Sequence, residues 1–319
     1  MKKFLLFFVT VNALLLCQVY ADILALDIAV AETRDSCNGI SDELKSLQTM
    51  AGINTAITGI GTVAGGGALY AGIQKKQLDE KARELWEYIK DIEDMSDDAF
   101  FMLLVKLANY KEASEIMDKE WDEDILNMVD TQSKNFGNWR TGLMAGNTAT
   151  NIAGTVIANK NKNAGKGIVV MVNSCLDSLI GLRAAWMQAR LDGADIDDLI
   201  LAQRIVDECG KYNIRDLEKI PRRSDIAKWS SAVGIGTGAA GTVTSVVANT
   251  ENIRNAARDT QDGVHKNAWE KEQNLNTASN ILAGASTVAS GIATGFNIAT
   301  ITVINKALGV ANSCEYMLR

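Results

Sequence analysis

The sequence predicts an all-α fold in which long helices pair as consecutive antiparallel hairpins and form an elongated bundle. The chain contains a single proline among 319 residues, and proline is the residue that interrupts helix interiors and central strands. Hydrophobic and polar residues alternate nowhere for long, so strands are not predicted. Small residues recur at every fourth position, which allows close helix approach, in four uncharged stretches: 46–74, 141–159, 229–250 and 273–305.

The first 21 residues predict a secretory signal peptide. Two lysines precede the apolar run 4–16, and small residues at Val19 and Ala21 fit cleavage after Ala21. Lipidation at Cys17 is the alternative, but Leu16 is large for the residue expected just before a lipidated cysteine. We therefore expect an exported chain, located in the periplasm, in the cell envelope or outside the cell.

Charge and size limit the partners and the domain count. Loss of Lys2 and Lys3 on cleavage leaves 30 of the 32 basic residues against 39 acidic ones, which moves the formal charge from −7 to −9. Nucleic acid is not an expected partner, because it requires a basic surface. We expect a helical bundle over 22–212, then a helical hairpin and a C-terminal helix over 213–319, with the boundary near 213–224.

The first predicted domain contains the stretches 46–74 and 141–159, followed by an αα-hairpin. Gly137-Asn138 predicts a helix break and 163–167 predicts a turn. An apolar helix then runs to Asp192-Gly193, and another helix ends by Gly210. Residues at every fourth position predict a small-residue packing ridge: Gly142, Gly146, Thr150, Gly154 and Ala158.

The second predicted domain is a hairpin of two uncharged arms. Pro221 predicts a helix restart with Ser224 as its N-cap. The next turn signal is Asp262-Gly263, and reflection of the sequence about residue 262 places 229–250 opposite 274–295. The arms are therefore expected to face each other. A second packing ridge is predicted on the later arm: Ala283, Thr287, Gly291, Gly295 and Ala299.

Four cysteines remain after processing, and an even number in an exported chain favours two disulfides. Cys175 and Cys209 lie at similar distances on either side of the turn at 192–193, so we expect them to pair. Cys37 and Cys314 then form the second bond. No metal site is predicted, because the chain has no CxxC pair and His265 is its only histidine.

No catalytic constellation is predicted. The run Gly236–Gly241 matches the G-x-G-x-x-G pattern of dinucleotide-binding sites, but the residues before it are a poor strand and βαβ alternation is absent. A glycine stripe for helix packing explains the same residues. An imidazole base would rest on His265 alone, beside a predicted turn. We therefore predict no cofactor, and an enzyme with a nucleotide-like ligand at Gly236–Gly241 is the least supported function.

Three tryptophans are candidate membrane-interface anchors. Trp139, Trp229 and Trp269 each lie at or just before an uncharged stretch, and each has a Lys or Arg within two residues. Tryptophan beside a cation at the end of an apolar segment is typical of a membrane interface. A hydrophobic staple at a helix entry is the alternative, since it places an apolar residue at the same point.

These observations predict a non-catalytic exported helical protein that self-associates through its Gly/Ala ridges and engages or inserts into a membrane. The stretches hold 19 to 33 uncharged residues, and about 20 residues span a bilayer core. Their many Asn, Thr and Ser side chains require partners inside the protein. The alternative is a soluble periplasmic or surface scaffold. Membrane lipid and a second copy, or another protein, are the expected partners.

Overall fold

The computed structural model describes residues 24–90, 121–251, 253–254 and 265–319, and the predicted signal peptide lies outside them. The described residues contain helices and short connections but no strand, which confirms the predicted all-α class. We number the helices in chain order: α1 (24–37), α2 (Ile40–Lys90), α3 (Trp121–Leu191), α4 (Ile196–Cys209), α5 (Ile214–Leu217), α6 (Lys219–Ala248) and α7 (His265–Leu318).

The residues at the helix ends are those expected for helix termination and capping. Gly39 (φ 79°) and Gly193 (φ 77°) take left-handed conformations after α1 and α3, which glycine adopts at little cost. Asp195 caps α4 by accepting a hydrogen bond from the backbone N–H of Asp197. The predicted turn between α3 and α4 is therefore confirmed at residue 193. Pro221 lies in the first turn of α6, where its missing N–H leaves no helical bond unmade.

Two predicted interruptions of α3 are wrong, because the helix runs unbroken through residues 137–138 and 163–167. The glycines there allow close approach instead. A Cβ atom at Gly165 would lie 2.7 Å from Cγ2 of Ile220, and one at Gly137 would collide with the amide of Asn249. Ser224 is also not an N-cap, since α6 begins at Lys219 and Ser224 is buried inside it.

The chain forms two compact units built from separated segments. Unit 1 comprises the described residues up to Ala56 together with Gly154–Trp229 and Ala293–Arg319. Unit 2 comprises the described residues of Ile57–Ala153 and Ser230–Ile292. Helices α2, α3, α6 and α7 each contribute a segment to both units, so the division does not follow the predicted boundary. A helix of 71 residues such as α3 extends for roughly 105 Å, beyond the size of one compact unit.

Unit 1 has an apolar core. Leucine, isoleucine and valine side chains from all seven described helices form one cluster, which also contains all four described cysteines. Burial of a leucine or isoleucine side chain contributes about 1.5–3 kcal/mol. The largest of its fully buried aliphatic side chains are Ile40, Leu44, Leu47, Ile168, Leu182, Ile205, Leu217 and Ile220.

The predicted cysteine pairing is wrong, although the predicted number of disulfides is confirmed. The bonds join Cys37 to Cys175 and Cys209 to Cys314. The sulfur atoms of Cys37, Cys175 and Cys314 lie within 4.8 Å of one another. The distance from the turn correctly placed Cys175 and Cys209 in the same core. It could not determine the pairing, because all four cysteines belong to that core.

In unit 2, α6 and α7 are antiparallel, as predicted, but their register differs from the predicted one by four residues. Ser286 Oγ donates to the carbonyl of Gly234 at 3.0 Å, and Ser279 Oγ donates to the carbonyl of Gly241 at 3.2 Å. Both pairs are related by reflection about residue 260 rather than residue 262. The turn predicted at Asp262-Gly263 lies outside the described residues. Segments of α2 and α3 complete a four-helix arrangement in this unit.

Candidate functional site

Buried positions on α2, α3, α6 and α7 alternate three and four residues apart, and we call this pattern the seam. On α2 it includes Gly61, Gly65, Ala68 and Gly72, and a 3.5-residue repeat of this kind is the signature of coiled-coil packing. In unit 2 the buried hydrophobic residues are few and mostly small: Ala68, Ala71, Ala82, Val129, Met144, Ala248, Ala283 and Ala289. Buried polar residues outnumber them: Thr58, Lys75, Asp79, Ser133, Arg140, Asn147, Asn151, Ser231, Ser245, Arg254, Glu272, Asn276, Ser279, Ser286 and Ser290.

A buried ionic cluster lies in the seam of unit 2. Lys75 is fully buried, and its Nζ lies 2.5 Å from Asp79 and 3.1 Å from Glu272 of α7. Asp79 also accepts hydrogen bonds from Ser133 Oγ and, at 3.1 Å, from Asn276 Nδ2. Three helices therefore supply donors to one carboxylate. Such a cluster is stable only because every charge has a partner.

Arg140 extends the polar network toward α6. Its guanidinium donates to Ser245 Oγ at 2.8 Å and to the side-chain oxygens of Asn276 at 3.0 Å and Asn280 at 3.4 Å. Arg140 thus joins α3 to α6 and α7 through three side-chain hydrogen bonds.

Amides and hydroxyls continue the network along α3 and α7. Asn147 Nδ2 donates to Ser286 Oγ at 2.8 Å, and Asn151 Nδ2 donates to Ser290 Oγ at 3.0 Å. Ser290 Oγ in turn lies 3.0 Å from Asn147 Oδ1. The asparagines that make the uncharged stretches polar thus find partners inside the unit. Polar groups paired in this way do not need water.

The glycines that permit close packing are not the predicted ridge glycines. Gly142, Gly146 and Gly295 are exposed, and an added Cβ would meet no atom within 4 Å. A Cβ at Gly291 would make only an ordinary contact, 3.9 Å from Thr62 Cγ2, while Gly154 is buried. A four-residue step turns by about 40° per repeat on an α-helix. The predicted stripe therefore rotates from the outside at Gly142 to the inside at Gly154.

Close contacts in unit 2 instead use glycines of the seam. A Cβ at Gly65 would lie 2.5 Å from Thr287 Oγ1 and 3.1 Å from the Cα of the same residue. A Cβ at Gly238 would lie 2.5 Å from Thr148 Oγ1. Gly236–Gly241 lies inside the continuous helix α6, without the strand and turn of a dinucleotide-binding site. Its buried glycines, Gly238 and Gly241, face neighbouring helices.

The uncharged stretches of unit 2 expose many apolar side chains, among which Val63 is 77% exposed. Exposed charged side chains of the unit, such as Lys76, Glu80 and Glu251, lie outside these stretches. A helix of a water-soluble bundle normally shows the opposite arrangement, with its polar face outward. The exposed large hydrophobic residues of unit 2 are Ile60, Val63, Tyr70, Ile73, Trp139, Ile152, Val233, Val243, Val246, Val247, Ile281, Val288 and Ile292.

Two of the predicted anchors, Trp139 and Trp229, are exposed by 70% and 64%. Asn249 Nδ2 donates to Asn138 Oδ1 at 2.6 Å, so Trp139 lies level with the end of α6. Trp229 lies on α6, twenty residues before Asn249, which corresponds to about 30 Å along the helix axis. Trp139 belongs to unit 2, whereas Trp229 is the last residue that α6 contributes to unit 1.

Cations accompany the predicted anchors. Lys228 Nζ lies 5.9 Å from the centre of the Trp229 ring. The third predicted anchor, Trp269, is partly buried, and the guanidinium carbon of Arg83 lies 5.5 Å from its ring centre. Both distances fit a cation–π contact. The structure thus separates the three tryptophans into two outward-facing rings and one that a neighbouring helix partly covers.

Sequence reasoning missed the ionic cluster and the seam. The signal for both was present, since Gly61, Gly65, Ala68, Gly72, Lys75 and Asp79 follow one another at steps of four and three. A search for apolar periodicity does not detect a seam made of glycine, alanine and charge. The four-residue spacing of small residues instead predicted a ridge that includes exposed glycines such as Gly142 and Gly146.

Four described helical segments are long and apolar enough to cross a membrane by length and composition: Leu24–Arg83, Met128–Leu191, Ile196–Ala248 and Asn267–Leu318. Three of them contain a whole uncharged stretch, and Ile196–Ala248 contains the stretch 229–250 except for its last two residues. Comparison of the chain with protein-family models, with curated proteins and with solved structures finds no match.

Proposed function

We propose that the chain is an exported, non-catalytic protein whose unit 2 embeds in a lipid bilayer. The observation that carries the proposal is the inverted polarity of unit 2: its interior is polar, whereas its uncharged stretches expose apolar side chains. Polar and ionisable residues of membrane-embedded helices characteristically face the interior of the bundle, whereas apolar residues face lipid. The uncharged outer face would therefore contact acyl chains.

The hydrogen-bond pattern removes the main objection to insertion. Asparagine and serine are costly in hydrocarbon when they lack partners. Asn147 and Asn151 bond to Ser286 and Ser290 within the unit, so these groups would already be satisfied. Insertion therefore requires the paired helices rather than one helix alone. The exposed ring of Trp139 in unit 2 supports the proposal, because tryptophan favours the bilayer interfaces.

Self-association is the second part of the proposal. Gly142 and Gly146 are exposed on α3, as are Ala145 and Ala149. Small residues spaced by four on a lipid-facing helix allow a second helix to approach closely. We propose that a second copy of the chain occupies this face once unit 2 is in the bilayer. Cross-linking in vesicles, compared with cross-linking in buffer, measures this association.

Liposome flotation and dye release test the insertion. The mature chain, residues 22–319, should float with vesicles and release trapped dye. Ala240 is exposed near the middle of the stretch 229–250, so Ala240→Asp should be harmless in water. In a bilayer centre the same change costs about 2.5–3.5 kcal/mol, which weakens membrane binding roughly a hundredfold.

The matched control replaces an equally exposed apolar residue outside the uncharged stretches. Leu191 is 81% exposed at the end of α3 in unit 1, and Leu191→Asp should leave flotation and dye release unchanged. The soluble scaffold is the competing function. It is favoured if the mature chain stays monodisperse and helical in buffer and neither binds nor permeabilises vesicles of varied charge.

A further inference from the structure

Basic residues concentrate at one level of unit 1, although the chain as a whole is acidic. The segments 160–166 of α3 and 219–228 of α6 contain seven basic residues and one acidic residue, a formal charge of +6, whereas the whole chain carries −7. Both segments belong to unit 1. We call the seven basic residues the basic belt: Lys160, Lys162, Lys166, Lys219, Arg222, Arg223 and Lys228.

Contacts between α3 and α6 place the two segments side by side. Lys162 Nζ donates to Asp225 Oδ1 at 2.6 Å, and Lys228 Nζ donates to Asn159 Oδ1 at 3.1 Å. Lys166 and Lys228 also attract the carboxylate of Asp225 electrostatically. This one carboxylate therefore lies among three lysines and cannot neutralise the belt.

The neighbouring segments of α2 and α7 do not balance this charge either. Arg223 donates to the carbonyl of Ala299 at 2.6 Å, which places α7 beside the belt, and a hydrogen bond joins α2 to the same part of α7. The segments 46–56 of α2 and 293–305 of α7 contain no charged residue. The belt is therefore a local excess of positive charge on the bundle.

The belt directly adjoins two of the uncharged stretches. Along α3 the stretch 141–159 ends one residue before Lys160, and along α6 the stretch 229–250 begins one residue after Lys228. The first residue of the latter stretch, Trp229, is 64% exposed, and tryptophan favours the interface between acyl chains and water. Since the proposed insertion places the uncharged stretches among acyl chains, it also places the belt at the depth of the lipid headgroups.

We propose that the basic belt binds the headgroups of anionic phospholipids, a role that rests on the proposed insertion of unit 2. Clusters of basic residues beside a membrane-embedded segment attract anionic lipids. Lys160 and Lys162 are two residues apart and therefore point about 200° apart around the axis of α3. Headgroups surround an embedded bundle and can contact all sides of the belt, whereas one soluble phosphate ion cannot.

Vesicle composition tests the belt. Flotation measures binding of the mature chain to vesicles of neutral phosphatidylcholine and to vesicles that also contain anionic phosphatidylglycerol. We expect tighter binding to the anionic vesicles, and sodium chloride should reduce the difference because salt screens exposed charges. Sodium phosphate at the same ionic strength should act as chloride does. Stronger inhibition by phosphate would assign the belt to a soluble ion and overturn the proposal.

Two triple variants locate the effect. The first removes three exposed cations of the belt: Lys160→Gln, Lys166→Gln and Arg222→Gln. At about fivefold per basic residue, its binding to anionic vesicles should weaken by about a hundredfold, with binding to neutral vesicles unchanged. The matched control removes the same charge from exposed positions of unit 1 outside the belt and should keep the preference for anionic vesicles: Arg183→Gln, Arg204→Gln and Lys211→Gln.

The failure of the belt differs from the failure of insertion. Equal binding of the mature chain to neutral and anionic vesicles would overturn the role of the belt and leave the insertion of unit 2 standing. Equal losses in the two triple variants would also overturn it, because the net charge of the chain would then determine binding. Binding to neither kind of vesicle would overturn the insertion and the role of the belt together.

Discussion

Unit 1 and unit 2 share the spacing of their buried positions but differ in what fills them. In unit 1 the seam carries residues such as Leu44, Ile168 and Leu182. In unit 2 it carries glycine, alanine, hydroxyls, amides and a buried ionic cluster. The difference shows that the repeat of three and four residues specifies helix pairing in both units. The side chains at these buried positions then determine which surroundings, water or lipid, each unit suits.

The two interiors also contribute differently to stability. An apolar core gains free energy from burial, and the disulfides of unit 1 restrict its unfolded state. A buried ionic cluster gains little on balance, because desolvation offsets most of the Coulomb attraction. It nevertheless disfavours misaligned pairings of the helices, which would leave a charge unpaired. We therefore expect unit 1 to be the more robust unit in water.

The largest effect is expected from the disulfides of unit 1. The bond between Cys209 and Cys314 closes a loop of 105 residues, and its removal should lower the free energy of unfolding by about 4–5 kcal/mol in the loop-closure model. Replacement of both cysteines by alanine, followed by urea unfolding, measures this loss. Fluorescence of Trp186, measured in a chain whose other five tryptophans are phenylalanine, reports on unit 1. A free energy of unfolding equal to that of the unaltered chain would contradict the model.

The next effect concerns the ionic cluster of unit 2. Lys75→Ala leaves Asp79 and Glu272 buried without their cation, which should cost about 3–5 kcal/mol. The neighbouring Lys76 is the matched control: it lies 3.7 Å from Glu80, and both side chains are about half exposed. Lys76→Ala should cost less than about 1 kcal/mol. Equal losses in thermal unfolding would mean that Lys75 is not buried as described.

A smaller effect separates the seam glycines from the predicted ridge. Gly65→Ala places a methyl group against Thr287 and Asn147, and such overpacking costs about 1–3 kcal/mol. Gly146→Ala meets no neighbouring atom and should stabilise the helix by about 0.5–1 kcal/mol in the isolated chain. Melting temperatures of the two variants give the signs directly. Destabilisation by Gly146→Ala in buffer would restore the predicted ridge as an internal contact.

Much of the fold followed from local signals in the sequence. The glycine at residue 193 predicted the turn between α3 and α4, and the turn signal at 262–263 predicted the antiparallel pairing of α6 and α7. The observed register of α6 and α7 differs from the predicted one by four residues. Gly137 and Gly165 led to the wrong prediction of two interruptions in α3, because glycine occurs at close helix contacts as well as in turns. The cysteine pairing depended on α1 and α7 reaching the same point as α3 and α4. Only the assembled core determines that convergence.

The candidate site was only partly predictable. The exposed tryptophans and the internally paired asparagines follow from the uncharged stretches. The ionic cluster does not, because Lys75, Asp79 and Glu272 have the spacing of ordinary surface residues and come from distant parts of the chain. Their burial depends on which side of each helix the seam occupies. A hydrophobic pattern cannot indicate that side when the buried residues are polar.

The central claim is that the outer face of unit 2 contacts acyl chains while the surface of unit 1 does not. Quenching by brominated lipids tests it with two variants of a chain whose native tryptophans are phenylalanine. Val63→Trp places the probe on unit 2 and Leu191→Trp places it on unit 1, at positions that are 77% and 81% exposed. With vesicles brominated deep in the acyl chains, the account predicts strong quenching at residue 63 and none at residue 191. Equal quenching at the two positions, or none at either, would contradict it.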